Sequence, residues 1–426
     1  MPNRLGTLRV AVGGNNRWLA FALALLCALA VIATPSMQAQ TLHVLYALTD
    51  RPGGDLSGLT LDRAGNLYGT TYYGPSVESV FELRHEGSSW LFQPLYYFQP
   101  HHDGHAPFAP VVFGPDGALY GTTIQGGELQ ICYYQLGPCG TVYSVQPPPD
   151  PCGGTACLWN ETRIYWFGAL DAVNDGYNPG SGPLIFDSAG NIYGTTNLGG
   201  LHGQGTAYQM VKTQNGWREH IIANFTGNGS PENAVSGLAF NSAGNLFGTL
   251  YMAGSFGQVF ELTPSGQSWN EQTIYSFQGG NDGALPVGGL VFDAAGNAYG
   301  STAGGYPPQP GTLFQLSPQA DGTWRETVLH VFPGNGPVNN LTMDAAGNIY
   351  GTTPGTPGIN PDHYGMVFKL SLVNGSWTFT QLYEFTGGND GAFPSGIVAI
   401  DSAGNLYGVC VAAGANEQGT IWEVTP

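Results

Sequence analysis

Short stretches in which apolar and polar residues alternate follow one another from residue 42 to the end of the chain, separated by Gly-rich segments. Typical stretches are Gly289–Asp293, Ile192–Thr196, Val259–Leu262 and Trp269–Phe277. A hydrophobic period of two predicts half-buried β-strands, and the intervening glycines predict tight turns. Each span of roughly fifty residues contains four such stretches, so the sequence predicts a series of small four-stranded sheets.

One phrase, a turn followed by a short strand, recurs seven times. The copies follow the form Asp-x-Ala-Gly-Asn-Leu-Tyr-Gly with few departures, and they begin at Asp62, Gly114, Asp187, Asn241, Asp293, Asp344 and Asp401. Their closing glycines, from Gly69 to Gly408, are 52, 73, 54, 52, 51 and 57 residues apart. Four strands in a repeat of this length are typical of a β-propeller blade.

The two ends of the repeat array predict how the ring closes. The last unit ends after its third strand, Thr420–Val424, whereas the first unit is preceded by an unpartnered strand, Leu42–Leu48. We therefore expect the N-terminal strand to complete the seventh blade. The predicted fold is all-β, a seven-bladed β-propeller of four-stranded blades that forms a single domain over residues 40–426.

The recurring turn has a structural explanation. Its Gly is free to adopt positive φ, and its Asp carboxylate can accept backbone N–H groups of the same turn. A calcium loop would need several alternating oxygen donors, which the phrase lacks. We predict a structural turn and no cofactor, with calcium as the alternative, and we expect the recurring Tyr and Trp to pack between blades or cap strands.

The composition excludes other classes of protein. Gly and Pro together account for 96 of 426 residues, and only 9% of residues are charged. Helical bundles and coiled coils need far more Ala, Glu, Lys and Leu. Aromatic residues make up 12% of the chain, which disfavours disorder, and the glycines follow no three-residue collagen period.

The first 39 residues resemble a secretory signal. Arg4, Arg9 and Arg17 precede the apolar run Trp18–Ala33, and we place cleavage after Ala39. Removing this segment leaves eight basic and 29 acidic residues, a net charge of −21. This charge disfavours nucleic acid and anionic membranes as partners. We expect a secreted protein, periplasmic or extracellular, that is monomeric and has no transmembrane segment in the mature chain.

The repeated motifs resemble those of a known family. The run AGNLYGTT, the VFEL strand and the GGNDGA loop resemble the GloVer tandem-repeat proteins, exported bacterial proteins described as "choice-of-anchor". The resemblance covers nearly all of residues 42–426. It implies export and a repeat architecture, but no established activity and no catalytic residues. More distantly, the units resemble NHL-type and two-component-regulator propeller repeats.

A second recurring loop marks a candidate ligand face. Loops of the type Asn-Asp-Gly-x-x-Pro lie on the same predicted face as the most variable loops, and ligands usually bind to variable loops of a rigid scaffold. We predict that Asp103, Asp175, Asp282 and Asp390 ring this face. The alternative is that the loop only makes the turn between blades.

Metal and catalytic chemistry have weaker signals. His101, His102 and His105 surround Asp103 and form the densest group of ligand-type residues. They are a candidate zinc site, although adjacent histidine side chains diverge, so a hydrated loop is the alternative. Catalysis is expected to use residues that depart from the repeat, and the acidic ones include Glu78, Glu128, Asp321, Asp362 and Glu417. Since no known catalytic motif occurs, we assign no catalytic residue.

Four of the six cysteines lie in the enlarged second unit. Cys132 and Cys139 precede the strand Thr141–Val145, and Cys152 and Cys157 follow it. A strand of five residues spans roughly 17 Å, more than a disulfide bridges. We therefore predict disulfides Cys132–Cys139 and Cys152–Cys157, and a buried free thiol at Cys410.

Three functions are compatible with these observations. The favoured hypothesis is a non-enzymatic binding scaffold at or outside the cell envelope, with a neutral or cation-bridged glycan or an envelope protein as ligand. The second is a carbohydrate-active enzyme, a polysaccharide lyase or glycoside hydrolase, which rests on fold analogy alone. The third is a structural component of the envelope.

Overall fold

The computed structural model contains only β-strands, turns and one 3₁₀ turn, Gly280–Asp282, in the part of the chain that it describes. Residues 40–426 form one compact unit. The described residues are 40–49, 55–72, 78–99, 103–127, 139–149, 157–168, 175–180, 182–226, 236–304, 309–334, 336–337, 339–355 and 363–425.

Thirty strands are present in these ranges. In chain order they are β1 (Thr41–Ala47), β2 (Asp55–Leu56), β3 (Thr60–Leu61), β4 (Leu67–Tyr72), β5 (Ser79–Glu86), β6 (Ser89–Tyr97), β7 (Val112–Phe113), β8 (Leu119–Thr123), β9 (Thr141–Gln146), β10 (Asn160–Trp166), β11 (Gly176–Pro179), β12 (Ile185–Phe186), β13 (Ile192–Gly199), β14 (Thr206–Thr213), β15 (Gly216–Asn224), β16 (Ala239–Phe240), β17 (Leu246–Leu250), β18 (Gln258–Ser265), β19 (Ser268–Ser276), β20 (Pro286–Phe292), β21 (Ala298–Thr302), β22 (Thr312–Pro318), β23 (Trp324–Val331), β24 (Thr342–Met343), β25 (Ile349–Thr353), β26 (Met366–Val373), β27 (Ser376–Glu384), β28 (Ala392–Ile400), β29 (Leu406–Ala412) and β30 (Thr420–Thr425).

The strands form seven antiparallel sheets arranged as the blades of a β-propeller, as predicted. Blades 1 to 6 have the strand orders β2-β4-β5-β6, β7-β8-β9-β10, β11-β13-β14-β15, β16-β17-β18-β19, β20-β21-β22-β23 and β24-β25-β26-β27. In blades 1 and 3 the first strand is split, so that β3 and β12 also pair with the second strand. We call the four positions strands A to D in chain order.

Blade 7 confirms the predicted ring closure. Its order is β28-β29-β30-β1, so the N-terminal strand supplies strand D of the last blade. The pairing runs from Thr41 opposite Thr425 to Ala47 opposite Thr420. Tyr46 of β1 also stacks on Phe92 of blade 1, with ring centroids 4.9 Å apart. The two ends of the chain are therefore joined by backbone hydrogen bonds and by side-chain packing.

The core lies between neighbouring blades. One cluster, for example, joins Phe247 and Val259 of blade 4 to Leu290, Ala298 and Phe314 of blade 5. The first five residues of strand B are buried in every blade because neighbouring sheets cover them, as in β25 and β17. Each blade thus depends on its neighbours for much of its buried apolar surface, as expected of a repeat that cannot fold alone.

The recurring turn has the predicted hydrogen bonds. Asp187 Oδ1 accepts the backbone N–H groups of Ala189 and Asn191, both at 2.9 Å, and Oδ2 accepts the Tyr193 hydroxyl at 3.0 Å. Burial alone would raise the pKa of Asp187, but the hydrogen bonds from Asn191, Tyr193 and Ala189 outweigh it and lower that pKa. The same bonds recur at the turns that begin at Asp62, Asp293, Asp344 and Asp401. The repeated carboxylate is thus occupied within its own turn.

Within the described ranges there is no helix with the length and apolar character needed to span a bilayer.

Candidate functional site

The four aspartates that we predicted on a ligand face all bond to their own blade-crossing turns. Asp282 accepts the Tyr275 hydroxyl and the Gln278 backbone N–H, both at 2.5 Å. Asp390 accepts the Tyr383 hydroxyl at 3.0 Å and the backbone N–H of Thr386 at 2.8 Å.

The other two aspartates make the same contacts and are buried. Asp103 accepts the Tyr96 hydroxyl and the Gln99 N–H, and Asp175 accepts the Tyr165 hydroxyl and the Gly168 N–H. Both side chains are 6% exposed. These contacts support the alternative that the loop makes the turn between blades, and a ligand role for the four aspartates stays a prediction.

The position directly before strand C departs from the repeat in one blade. In all seven blades its carbonyl accepts the N–H of a residue just after strand D, as between Phe98 and Glu78 at 2.9 Å. In six blades the residue before strand C is glycine: Gly140, Gly205, Gly257, Gly311, Gly365 and Gly419. Blade 1 has Glu78 there, so a carboxylate is added where the rest of the ring has no side chain.

Glu78 reaches across to the turn that leads into blade 2. Its Oε2 accepts the Ala106 backbone N–H at 2.6 Å, and its Oε1 lies 2.7 Å from Nδ1 of His105. At the equivalent turn into blade 5, the N–H of Leu285 is accepted by the backbone carbonyl of Phe256 at 2.8 Å. The Glu78 side chain therefore replaces a main-chain acceptor and gains an imidazole partner.

The Glu78–His105 contact determines where the imidazole carries a proton. Two lone pairs would repel at 2.7 Å, which favours a proton on Nδ1, but the angles at the two atoms are not those of a hydrogen bond, so the contact is electrostatic. The Glu78 side chain is 5% exposed and the His105 side chain 34%. Backbone bonds between His105 and Gln125, of 2.7 and 3.0 Å, hold the histidine's main chain in place. The ring's Nε2 is left for an external hydrogen bond or for proton transfer.

A third departure lies three residues further along. Phe108 is 43% exposed, and it packs edge-on against the buried Tyr72, with ring centroids 4.8 Å apart. The equivalent residues in three other blade-crossing loops are smaller: Gly180, Val287 and Ser395. We call Glu78, His105, Phe108 and Tyr72 the corner site.

The metal prediction at this corner falls partly outside the described residues. His101 and His102 lie outside them, so that prediction is not tested. Asp103 and His105 are described. Asp103 accepts hydrogen bonds from Tyr96 and Gln99, whereas His105 contacts Glu78. The described part of the chain contains no group of three or more His, Cys, Asp or Glu residues arranged to hold an ion.

Comparison with protein families places the chain. A model of the Gloeobacter/Verrucomicrobia repeat matches residues 137–356 and 236–426, which together cover more than half of the sequence. The chain belongs to the Gloeobacter/Verrucomicrobia repeat family. The resemblance of its motifs to the GloVer proteins is thereby confirmed. None of the curated proteins compared with the sequence is significantly similar to it.

The family's fold in this chain is similar to solved propellers of other sequence. The periplasmic gluconolactonase of Pseudomonas aeruginosa is 15% identical, with a TM-score of 0.52, and the match covers 86% of this chain and 96% of that one. A putative 6-phosphogluconolactonase from Bacteroides fragilis is 14% identical, with a TM-score of 0.51 and coverage of 84% and 88%. At these identities the likeness shows the fold alone.

A second His–Glu pair in this Gloeobacter/Verrucomicrobia repeat protein is more exposed. His363 Nδ1 lies 2.9 Å from Glu384 Oε1, and Gln381 donates to Oε2 of the same carboxylate at 3.0 Å. The Glu384 side chain is 49% exposed, so solvent competes for the contact. Asp362, which directly precedes His363 in the sequence, lies outside the described residues.

The structure tests one of the cysteine predictions. Cys410 is buried and free, as predicted, and burial raises the pKa of its thiol. Cys139 and Cys157 are each disulfide-bonded. Cys132 and Cys152 lie outside the described residues, so the pairing stays a prediction.

In three blades a glutamate of strand D lies near the aspartate of the turn that leads into that blade, and its pKa is raised. Burial and the charge of Asp103 raise the pKa of Glu161 to about 7, against an opposing effect of Arg163. Burial and the charge of Asp282 raise the pKa of Glu326 to about 7. The third and most buried case is Glu219, whose pKa is raised to about 8 by burial and then by Asp175.

Sequence reasoning identified Glu78 and His105 separately but not as a pair. They are 27 positions apart, and the contact exists only because the chain crosses from blade 1 to blade 2. A signal was nevertheless present. Aligning the seven units places Glu78 against six glycines and Phe108 against smaller residues.

Proposed function

We propose that this protein is an exported, non-enzymatic binding scaffold that recognises a neutral, hydroxyl-rich ligand, such as a glycan, at the corner site. One observation carries the proposal: Glu78, His105 and Phe108 all depart from the repeat, and they meet at one junction between blades. A scaffold position needs the repeated residue, whereas a ligand-binding position is free of that constraint. Departures that cluster in space are therefore the best marker of a site.

The chemistry of the corner site suits a saccharide. A half-exposed phenyl ring offers a flat apolar surface for the C–H face of a sugar, and Phe108 is held in place by Tyr72. His105 offers Nε2 to a hydroxyl group, while its Nδ1 lies 2.7 Å from Oε1 of Glu78. The net charge of −18 disfavours an anionic ligand.

We propose export on the basis of residues 1–39, whose basic start and apolar run follow the pattern of a secretory signal. Family membership supports this assignment. We further propose that the mature protein is monomeric, because closure of the ring through β1 leaves no blade face uncovered for packing against a second copy. An envelope protein is the alternative class of ligand.

The Glu78–His105 pair favours a hydrolase as the second candidate. A carboxylate that holds the Nδ1 proton of a histidine orients Nε2 to take a proton from water. The two solved propellers described above are named as lactonases, one of them putatively, and a lactone is the substrate class that such a base would serve. The four ligand-face aspartates do not contribute to this candidate because their turns occupy them.

The test is a glycan-array screen of the purified protein, with calcium and with chelator. We expect binding that survives chelation and falls at least tenfold on Phe108→Ala and on His105→Ala. Leu201→Ala is the matched control, since Leu201 is also an exposed apolar side chain, 61% exposed, in another loop. Calcium-dependent binding that is lost in Asp282→Asn and Asp390→Asn would instead favour the ligand face of four aspartates that the sequence predicts.

Negative results in the glycan screen lead to the second candidate. In that case hydrolysis of lactone substrates is measured for the wild type, Glu78→Gln and His105→Ala. Turnover that disappears in both variants would replace the binding proposal by the enzymatic one. If neither glycan binding nor turnover is found, a pull-down from envelope fractions tests the protein-ligand alternative.

A further inference from the structure

A single tyrosine hydroxyl lies between two carboxyl groups at the junction of blades 2 and 3. Tyr165 of β10 places its hydroxyl 3.0 Å from Oδ2 of Asp175 and 2.9 Å from Oε2 of Glu219. Asp175 lies directly before β11, and Glu219 lies on β15, so both carboxyl groups belong to blade 3. The side chains of Tyr165 and Asp175 are buried, at 8% and 6% exposure.

The number of hydrogen atoms in this cluster is too small if both carboxyl groups are ionised. The hydroxyl of Tyr165 has one proton, and it can donate that proton to one carboxylate only. The second carboxylate would then face the lone pairs of the same oxygen at 2.9–3.0 Å, which is repulsive. In addition, Oδ1 of Asp175 and Oε1 of Glu219 are buried and have no donor. One further proton on a carboxyl group supplies the missing donor to the tyrosine oxygen and removes the repulsion.

Asp175 and Glu219 are not equivalent holders of that proton. Asp175 Oδ2 also accepts the backbone N–H of Gly168 at 2.5 Å, which stabilises its ionised form. Glu219 has no backbone N–H among its partners, which are Tyr165 and Asp175 itself. The extra proton therefore belongs on Glu219, which then donates within the cluster.

Elsewhere in the chain a tyrosine hydroxyl also has two such neighbours, but within a single blade. Tyr68 lies between Asp62 and Glu82, and Tyr407 lies between Asp401 and Glu423. Two other blades have glutamine at the position of that glutamate. Tyr193 donates its hydroxyl proton to Asp187 and accepts a hydrogen bond from Nε2 of Gln209 at 2.6 Å. Tyr299 likewise receives Nε2 of Gln315 at 3.2 Å. In these blades an amide supplies the second hydrogen. At the junction of blades 2 and 3 the group beside the tyrosine is a glutamate of strand D, Glu219, which can supply a hydrogen only when it is protonated.

We propose that Asp175, Tyr165 and Glu219 hold one shared proton that fastens blade 2 to blade 3, and that losing this proton at alkaline pH weakens the junction. The contacts join β10 of one blade to β15 and the start of β11 of the next. The inference concerns the scaffold, so it stands apart from the ligand proposed above.

The direction of the pH effect follows from the groups around Glu219. Burial and then the charge of Asp175 raise the pKa of Glu219 to about 8, while the bond from Tyr165 opposes this. Burial also raises the pKa of Asp175. Tyr208 of β14 is the other titratable group that interacts with Glu219, and its pKa is raised, so it stays neutral in this range.

The window of the effect lies between the pKa of an unfolded glutamate and that of Glu219. Below about pH 4.5 both states are protonated, and the junction is at full strength. Between that value and about 8 the folded state binds one more proton than the unfolded state. The unfolding constant then rises by at most about tenfold per pH unit, and the dependence ends above the folded pKa.

The test is Glu219→Gln, which keeps the shape and supplies an amide donor as Gln209 does in blade 3. Unfolding midpoints in urea are measured from pH 5 to 9.5. We expect the wild type to lose stability relative to the variant as the pH rises, with the divergence ending near pH 8. Glu271→Gln is the matched control, because Glu271 holds the same register position in blade 4 but Ala223 stands where blade 2 has Tyr165. Its curve should diverge less.

Curves for the wild type and Glu219→Gln that stay parallel from pH 5 to 9.5 would overturn the proposal. Should Glu219→Gln fail to fold, proton release on urea unfolding of the wild type at pH 7 gives a second test. The proposal requires Glu219→Asp or Asp175→Asn to release fewer protons than the wild type. Equal proton release in the wild type and both of these variants would also overturn it.

Discussion

The closing glycine of the recurring phrase lies beneath an aromatic ring in every blade. A Cβ added to Gly351 would lie 2.7 Å from Cζ of Phe368 and 3.0 Å from Cδ2 of Leu341. Both neighbours are buried, at 0% and 2% exposure, so neither can move into solvent. The other six glycines meet the equivalent ring of strand C: Gly69 and Phe81, Gly121 and Tyr143, Gly194 and Tyr208, Gly248 and Phe260, Gly300 and Phe314, Gly408 and Trp422.

We predict that Gly351→Ala destabilises the protein by about 1–2 kcal/mol. Inserting a methyl group into a filled core costs roughly 1–3 kcal/mol. The φ of Gly351 is outside the left-handed region, so the backbone adds no strain of its own. Alanine also lowers the entropy of the unfolded chain, which stabilises the folded state by about 0.4–1 kcal/mol, so the net effect is a loss of stability.

The assay is the urea midpoint of the wild type, Gly351→Ala, Phe368→Leu and the double variant. Leucine lacks the ring's Cζ, so the double variant should lose at least about 0.5 kcal/mol less than the sum of the single losses. Gly388→Ala is the control: Gly388 is exposed, and its nearest atom is Oγ1 of Thr386 at 3.2 Å. Strict additivity, or a Gly351→Ala protein as stable as the wild type, would refute the steric explanation.

Three further predictions concern the turn, the closure and the free thiol. Asp187→Asn should destabilise the protein at pH 7, and the loss should shrink as the pH falls from the ordinary aspartate pKa of 3.8 through the lowered pKa of Asp187, because protonation removes the contribution of the carboxylate; a pH-independent loss would contradict this. Tyr46→Ala should cost roughly 1–3 kcal/mol in thermal unfolding, since it removes the stack on Phe92 that supports ring closure, and an unchanged Tm would count against that support. The thiol of Cys410 should react with iodoacetamide only after unfolding, and rapid modification of the native protein would show that it is accessible.

One blade shows how closely the turn and its tyrosine depend on each other. Blade 4 has Asn241 in place of the aspartate, and its Oδ1 still accepts two backbone N–H groups at 3.0 Å. The same blade has Phe247 in place of the tyrosine, so no hydroxyl needs the second carboxylate oxygen. The two substitutions occur together because an amide nitrogen cannot accept the tyrosine's proton.

The number of blades, the order of the strands and the closure by β1 were all predictable from the sequence. These features depend on local alternation and on a repeat period, and both are visible without knowledge of long-range contacts. The role of Asp187 and its equivalents was predictable for the same reason, since the carboxylate and its backbone partners lie within four residues.

Only the tertiary structure decided which departures from the repeat meet. Glu78 and His105 are joined because the chain crosses between blades, and Tyr165 and Glu219 because two blades pack side by side. Likewise, the closing glycine is explained by a ring on the neighbouring strand rather than by its own turn. In each case the partner is distant in the chain, and the contact depends on how sheets twist and stack, which a one-dimensional pattern does not encode.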